Sequence, residues 1–282
     1  MDPAESIIVA LDTTAEQARR LAELMAGRAR WLKVGMTLYY REGPALVREF
    51  KDRGYRVFVD LKLHDIPHQV RGAARAVAYA GADLLTVHAS GGRAMMEAAR
   101  EGAEEGYAEL CAEYDREQNR VKGSAVAGGG EQDTVLNAGQ STRLSPAKGH
   151  PHQAVPGKGR PLCLAITVLT SLDRAGLAST GVETELSAQV LRLAALAEDA
   201  GLDGVVCSPE EAKAVRAARR EGFILVTPGV RPAGSAAADQ RRVATPARAR
   251  AAGADYLVIG RPITQAADPL AAFEAIAEEL KP

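Results

Sequence analysis

The chain is poor in cysteine and aromatics, with three cysteines, seven tyrosines, four phenylalanines and one tryptophan in 282 residues. Cys111, Cys163 and Cys207 are odd in number, widely spaced and in no CxxC pair. That excludes a secreted disulfide framework and a zinc knuckle, and it fits a reducing cytoplasm. An excess of one charge is also missing. Lys plus Arg is 35 against 36 Asp plus Glu, a formal net charge of −1, so nothing drives generic binding to nucleic acid or a membrane surface. No run approaches the roughly 18 apolar residues that a membrane span needs. The acidic start, Met1 to Ser6, has no basic region and leads into an apolar run (IIVAL) expected to be a strand, not a signal peptide. What is present is 46% hydrophobic and 25% charged residues, enough to bury a sizeable core.

Short β-branched runs alternate with longer Ala/Leu/Arg/Glu segments, the pattern of repeated βα units around a parallel sheet. Eight strands are expected: Ile7–Asp12, Trp31–Gly35, Arg56–Lys62, Leu84–His88, Leu162–Val168, Gly204–Cys207, Ile224–Thr227 and Tyr256–Gly260. Helical spacing lies between them, as in Ala15, Ala18, Leu21, Leu24 and Met25, and in Leu270, Phe273, Ile276 and Leu280. With no second composition regime, the pattern predicts an α/β fold in a single domain over residues 1–282. The closed (β/α)8 TIM barrel is favoured over an open doubly wound sheet. One stretch, from about Asp115 to Gly159, breaks the rhythm with a GGG run, Pro146, Pro151 and Pro156 and few large aliphatics. It is expected to be a mostly disordered insertion between strands 4 and 5. His150 and His152 within it have no suitably placed partner for a metal, and its GGGEQ segment lacks the G-K-[ST] ending of a phosphate-binding P-loop.

Barrel active sites lie at the C-terminal ends of the strands, so ionisable residues there are the candidates. Strand 1 ends in Asp12, strand 2 holds Lys33, strand 3 runs through Asp60 and Lys62, strand 4 ends in His88 and Ser90, and strand 8 ends in Gly260 and Arg261. Two-residue spacing puts Asp60 and Lys62 on one face of the strand, while Val57, Val59 and Leu61 take the other. Any one of these charges reads plainly as half of an ion pair. Four of them alternating in sign over three consecutive strands, with Asp65 just beyond, make a network that apolar residues would replace if stability were its only purpose. His64, His68 and His88 are weaker signals, fitting loop orientation or a strand-end hydrogen bond as well as catalysis. Cys163 and Cys207 read as inert core.

A second constellation suits an anion. Barrels often hold phosphate between the loops after strands 7 and 8. Here those loops are TPGVRP (Thr227–Pro232) and IGRPIT (Ile259–Thr264). Gly260 permits close backbone approach, Arg261 offers a bidentate fork, and a helix is expected from Ile263 onward. Arg231 and Gln240 flank a small-residue stretch, AGSAAAD, placed to act as a lid.

Taken together, ALD at Asp12, KVG at Lys33, DLKLHDIP from Asp60, VHASGG from Val87, ITVLTS from Ile166, VTPGVRP from Val226, DQRR from Asp239 and VIGRPIT from Val258 resemble the orotidine 5′-phosphate decarboxylase family. The matches run from end to end of the barrel in the family's order. The resemblance implies decarboxylation of orotidine 5′-phosphate to UMP in de novo pyrimidine biosynthesis, without cofactor or metal. Lys62 would protonate C6, Asp60 would face the substrate carboxylate, and Asp12 and Lys33 would bind ribose hydroxyls. Thr170 and Ser171 match a segment that contacts ribose and pyrimidine, and Arg231, Gln240, Gly260 and Arg261 match the phosphate grip. Asp65 and Ile66 match residues supplied across a dimer interface, implying a cytoplasmic homodimer with Asp65 acting in trans. Gln69 stands where many members carry Thr, which puts one hydroxyl contact to substrate in doubt.

Two other readings are compatible with a barrel of this kind. Magnesium-dependent sugar-phosphate relatives carry a metal-binding Glu where this chain has Lys33, and a cation there would repel magnesium. A non-catalytic phosphate sensor would be marked by loss of Lys62 or Asp60, and both are present.

Overall fold

The structure, a computed structural model, describes residues 2–127, 160–231 and 244–281, and the side chains of all but 121–127 among these. Eight parallel strands close into a barrel in sequence order. They are β1 (Ile7–Ala10), β2 (Trp31–Gly35), β3 (Arg56–Leu63), β4 (Leu84–His88), β5 (Leu162–Ile166), β6 (Gly204–Val206), β7 (Ile224–Thr227) and β8 (Tyr256–Ile259). The helices between them are α1 (Ala15–Leu24), α2 (Met36–Glu42), α3 (Pro44–Asp52), α4 (Pro67–Tyr79), α5 (Arg93–Ala127), α6 (Arg174–Ala178), α7 (Leu186–Asp199), α8 (Pro209–Ala218) and α9 (Pro246–Ala251). After β8 come α10 (Arg261–Thr264) and α11 (Pro269–Glu279). This is the expected (β/α)8 barrel, with the strands at the mouth ending earlier than expected. Asp12, Val168, Cys207 and Gly260 lie in loops just past β1, β5, β6 and β8, although single backbone bonds between strands continue beyond three of these ends, as from the Leu11 N–H to the Lys33 carbonyl at 3.0 Å and from the Cys207 N–H to the Val226 carbonyl at 3.2 Å.

Period-two alternation divides the strands between two cores. Ile7, Val9, Val57, Val59, Leu85 and Val87 face outward and pack under the helices. Ile8, Ala10, Trp31, Phe58, Leu84, Leu164, Val226, Tyr256 and Val258 face inward and fill the barrel. The single tryptophan, Trp31, begins β2 and meets Tyr256, at the start of β8, edge-on with ring centroids 5.4 Å apart. The interior of the barrel at its N-terminal end is thus plugged by aromatic bulk.

That plugged end carries a repeated clasp. Gly81-Ala82-Asp83, Gly201-Leu202-Asp203 and Gly253-Ala254-Asp255 lead into β4, β6 and β8, each through a glycine of positive φ. Each aspartate accepts a backbone N–H from the preceding strand: Val57 at 2.7 Å, Cys163 at 2.9 Å and Leu225 at 2.8 Å. Each also pairs with a cation, Lys51 at 2.7 Å, Arg160 at 2.6 Å and Arg216 at 2.5 Å. The three clasps join β3 to β4, β5 to β6 and β7 to β8.

The expectation of a loop beginning at Asp115 is corrected. Asp115–Ala127 continues α5, a helix of 35 residues. The segment is polar but has no proline and is rich in Arg, Glu, Gln, Lys and Ala, which favour helix, so its polarity did not mean loss of structure. Residues 128–159, with the GGG run and both histidines of the expected insertion, lie outside the described residues. Further up, α5 lies directly on α4. A Cβ on Gly102 or Gly106 would stand 2.1 Å from the carbonyl oxygen of Arg71 or Arg75, so only glycine permits this backbone approach. Arg71–Glu105, Arg75–Glu109 and Tyr79–Glu113 run as a ladder alongside.

Candidate active site

At the C-terminal ends of the strands the barrel opens into a cavity of about 420 Å³. One wall is an array of four charges. Asp60, on β3, accepts through Oδ2 from Lys62 Nζ at 2.8 Å, and the same oxygen lies 3.4 Å from Lys33 Nζ. Lys33, on β2, donates to Asp12 Oδ1 at 3.2 Å. Signs therefore alternate along Asp12, Lys33, Asp60 and Lys62. The inner pair is buried, whereas the Lys62 side chain is 27% and the Asp12 side chain 65% exposed.

Burial and charge compete within the array. Desolvation pulls the Lys33 ammonium down, but the Asp60 and Asp12 carboxylates outweigh it and leave its pKa above the ordinary lysine value. Desolvation pushes Asp60 up, yet Lys33, Lys62 and the Thr86 hydroxyl together hold it below the ordinary carboxylate value. Both buried groups stay charged at neutral pH, each because of the other.

Lys62 reaches the cavity by a route that simple alternation does not describe. Its φ of 51° makes it the one non-glycine residue of positive φ among the described residues. The β3–β4 register shifts between Val59 and Leu63. Such left-handed backbone is strained for a side chain with a Cβ and concentrates at functional sites.

The opposite wall comes from the loops after β5, β7 and β8. Thr170, Gly229, Arg231, Gly260, Arg261 and Gln265 all border the cavity. The β7 loop turns at Gly229, φ 76°, and is pinned where Val230 bridges Ala244 and the Arg231 N–H donates to the Ala244 carbonyl at 2.9 Å. The helix after β8 begins at Arg261 and not at Ile263, with Gly260 as its N-cap, which brings the guanidinium-bearing residue into the first turn. Gln240 and the lid stretch around it lie outside the described residues.

The remaining expected site residues are not on this cavity wall. Asp65, Ile66, Gln69 and Ser171 are exposed, and Asp65 Oδ1 accepts from the Ile66 N–H at 2.6 Å. His64 and His88 lie ring to ring, centroids 5.1 Å apart, and burial, His64 and Lys62 hold His88 below the ordinary histidine value. Burial pushes the Cys163 thiol up to about 12, as suits an inert core cysteine. Among the described residues no group of three or more His, Cys, Asp or Glu side chains is arranged to hold a metal ion.

The profile of the orotidine 5′-phosphate decarboxylase / HUMPS family matches residues 5–276. A protein of Moorella thermoacetica named orotidine 5′-phosphate decarboxylase is 46% identical, over 100% of this chain and 94% of its own length. The chain belongs to the orotidine 5′-phosphate decarboxylase / HUMPS family. A Coxiella burnetii protein of the same name is 41% identical over 99% of this chain and 98% of its own. The crystal structure of orotidine 5′-phosphate decarboxylase from Lactobacillus acidophilus superposes with a TM-score of 0.73 at 32% identity, covering 99% of this chain and all of that one.

Two residues at the cavity or behind its wall escape a reading of the sequence. Gln265 borders the cavity from just past α10, where one glutamine carries no signal of its own. Thr86 is fully buried on β4 and bonds Asp60, and it did leave a trace: it occupies the inward position between Leu84 and His88, where a barrel strand otherwise carries an apolar residue.

Proposed function

We propose that this chain decarboxylates orotidine 5′-phosphate to UMP in pyrimidine biosynthesis, with Lys62 delivering the proton to C6. The observation that carries this reading is the placement of the Lys62 ammonium, 2.8 Å from the Asp60 carboxylate, in the same cavity as Arg231 and Arg261. Family membership supports the reaction class.

Loss of carbon dioxide from a vinylic carbon leaves a localised carbanion with no adjacent carbonyl to receive the charge. The required rate enhancement lies toward the upper end of the roughly 8–23 kcal/mol that enzymes supply. A fixed ammonium beside C6 stabilises that charge as it develops and then becomes the proton donor. The buried Asp60 carboxylate faces the departing one, and the two repel in the bound substrate more than in the transition state. Arg231, Arg261, Gly260 and Gln240 grip the phosphate, and Asp12, Lys33, Thr170 and Ser171 hold ribose and base. Binding energy gathered away from C6 is thereby used at C6.

The mouth disfavours a divalent cation, because Lys33 stands between Asp12 and Asp60 and its charge occupies the place a metal would take. Turnover is therefore expected to be unchanged by EDTA in an absorbance assay with orotidine 5′-phosphate. Loss with EDTA and recovery with magnesium would establish sugar-phosphate chemistry of the metal-dependent kind instead.

The working unit is a homodimer in the cytoplasm, with Asp65 and Ile66 reaching the neighbour's site. Support comes from the exposed apolar residues Met36, Tyr40 and Ile66, all on the β2 and β3 side of the mouth, with Ile66 64% exposed. Cys111, Cys163 and Cys207 are in no disulfide, which suits a reducing compartment. Mixing Lys62→Ala with Asp65→Ala chains tests the arrangement. Both defects then fall in one site of a hybrid dimer and the other site is intact, so equal co-refolding should restore about one quarter of wild-type activity. Activity at the mean of the two parents, with hybrids confirmed by mass, would place Asp65 in its own chain's site.

A further inference from the structure

We infer that Thr86 is a positioning residue for the decarboxylation, its single hydroxyl holding both the Lys62 backbone and the Asp60 carboxylate in their working geometry. The inference rests on the reading of Lys62 and Asp60 given above. Thr86 lies behind the array, does not border the cavity and has no exposed surface, so any influence on the reaction passes through its two partners.

The need for it arises in the strand pairing. β3 and β4 are in register at Phe58 with Leu84 and Val59 with Leu85, and again at Leu63 with Val87. Four steps along β3 are matched by two along β4, so Asp60, Leu61 and Lys62 pass this edge without regular ladder partners. A bulge of this kind re-aims a side chain and leaves backbone groups to be satisfied in some other way. The Lys62 N–H is one such group, and it donates to Thr86 Oγ1 at 2.9 Å. The hydroxyl in turn donates to Asp60 Oδ1 at 2.9 Å.

Direction follows from chemistry. An amide N–H only donates and an ionised carboxylate only accepts, so the hydroxyl must accept from Lys62 and send its proton to Asp60. One carboxylate oxygen is thereby committed to Thr86, which leaves the other for the ammonium groups of Lys62 and Lys33. The same contact holds the left-handed backbone at Lys62, the conformation that turns its side chain into the cavity. Removing the hydroxyl frees both ends at once.

Valine keeps the shape of threonine without the hydroxyl, and serine keeps the hydroxyl. Thr86→Val is expected to lower kcat by about 10- to 100-fold, the loss that follows misplacement of a reacting group by around 1 Å. The dissociation constant for UMP should stay within roughly threefold, because phosphate and ribose contacts lie on other loops. The acid limb of the kcat–pH profile should also move upward, since the ionised form of Asp60 loses a hydrogen bond. Thr86→Ser should restore kcat to within about threefold of wild type.

If Thr86→Val does not fold, Thr86→Ser against Thr86→Ala makes the same comparison at nearly equal size, with serine expected to be at least about tenfold faster. Equal losses in the hydroxyl-bearing and hydroxyl-free variants, or a Thr86→Val enzyme with wild-type kcat and pH profile, would overturn the inference. Lys62→Ala assayed in parallel separates the two levels: if it is inactive while Thr86→Val is unimpaired, the positioning role fails and the reading of the site stands. An active Lys62→Ala enzyme would remove the reading itself.

Discussion

Lys62→Ala is expected to give a folded protein that binds UMP and has lost turnover by at least about 1,000-fold, the upper range for removing one preorganised electrostatic group. The fold should survive for a reason visible in the array. Asp60 keeps the Lys33 ammonium at 3.4 Å and the Thr86 hydroxyl at 2.9 Å, so its buried carboxylate is not left alone. Alanine also carries the same backbone penalty at a φ of 51° that lysine already bears. Single-turnover decarboxylation, the UMP dissociation constant and thermal melting, measured on one preparation, separate chemistry from binding and folding. Retention of more than a few per cent of kcat would remove Lys62 from the proton transfer, since a group that both stabilises the carbanion and supplies its proton has no substitute among the neighbouring side chains.

The second large effect is expected at the far end of the barrel. Asp203 is buried, with its side chain 1% exposed, and it holds the Cys163 N–H at 2.9 Å and the Arg160 guanidinium at 2.6 Å. Asp203→Ala leaves a strand N–H without its acceptor and takes from the largely buried Arg160 its shorter ion pair, with Glu104 at 3.3 Å and the Pro161 carbonyl at 2.9 Å remaining. Breaking such a pair from one side costs about 3–5 kcal/mol, which corresponds to a fall in Tm on the order of 10 °C for a chain of this size. Asp203→Asn, which can still accept from the N–H, should fall between the two. Because the clasp lies opposite the mouth, kcat at a permissive temperature should stay near wild type. A melting curve for Asp203→Ala within a degree of the parent would show that the barrel closes without the clasp.

The strands were legible because β-branched residues at period two have one interpretation when helical spacing separates them, and the eight observed strands fall where that pattern put them. Asp12, Lys33, Asp60 and Lys62 were legible only as a set: any one of them reads as half of an ion pair, whereas four alternating in sign at the ends of three adjacent strands predicted the array observed at the cavity. What escaped depends on register. Thr86 and the three clasp aspartates take their roles from partners more than 20 residues away, and nothing local to them says which backbone N–H they will meet. The face shared by Asp60 and Lys62 was expected from regular alternation, whereas Lys62 arrives through a bulge, so the placement agreed and the stated cause was incomplete. At Asp115–Ala127 a polar composition concealed a helix, because low hydrophobicity reads as loss of structure although the residues there include several good helix formers.

The chain of alternating charges also constrains how this barrel can change over generations. Lys33 serves both Asp12 and Asp60, and Asp60 serves both lysines, so losing any one member alters the surroundings of the next. Substitutions at these four positions should therefore show strong epistasis, with double variants departing from the sum of the singles. A mutational path toward different chemistry in the same barrel that exchanges the inner charges one at a time passes through an intermediate in which a buried ion keeps only one of its two opposite charges, Asp60 with Lys62 or Lys33 with Asp12. Paired replacements within the array therefore cost less than the single steps that lead to them, whichever member is exchanged first.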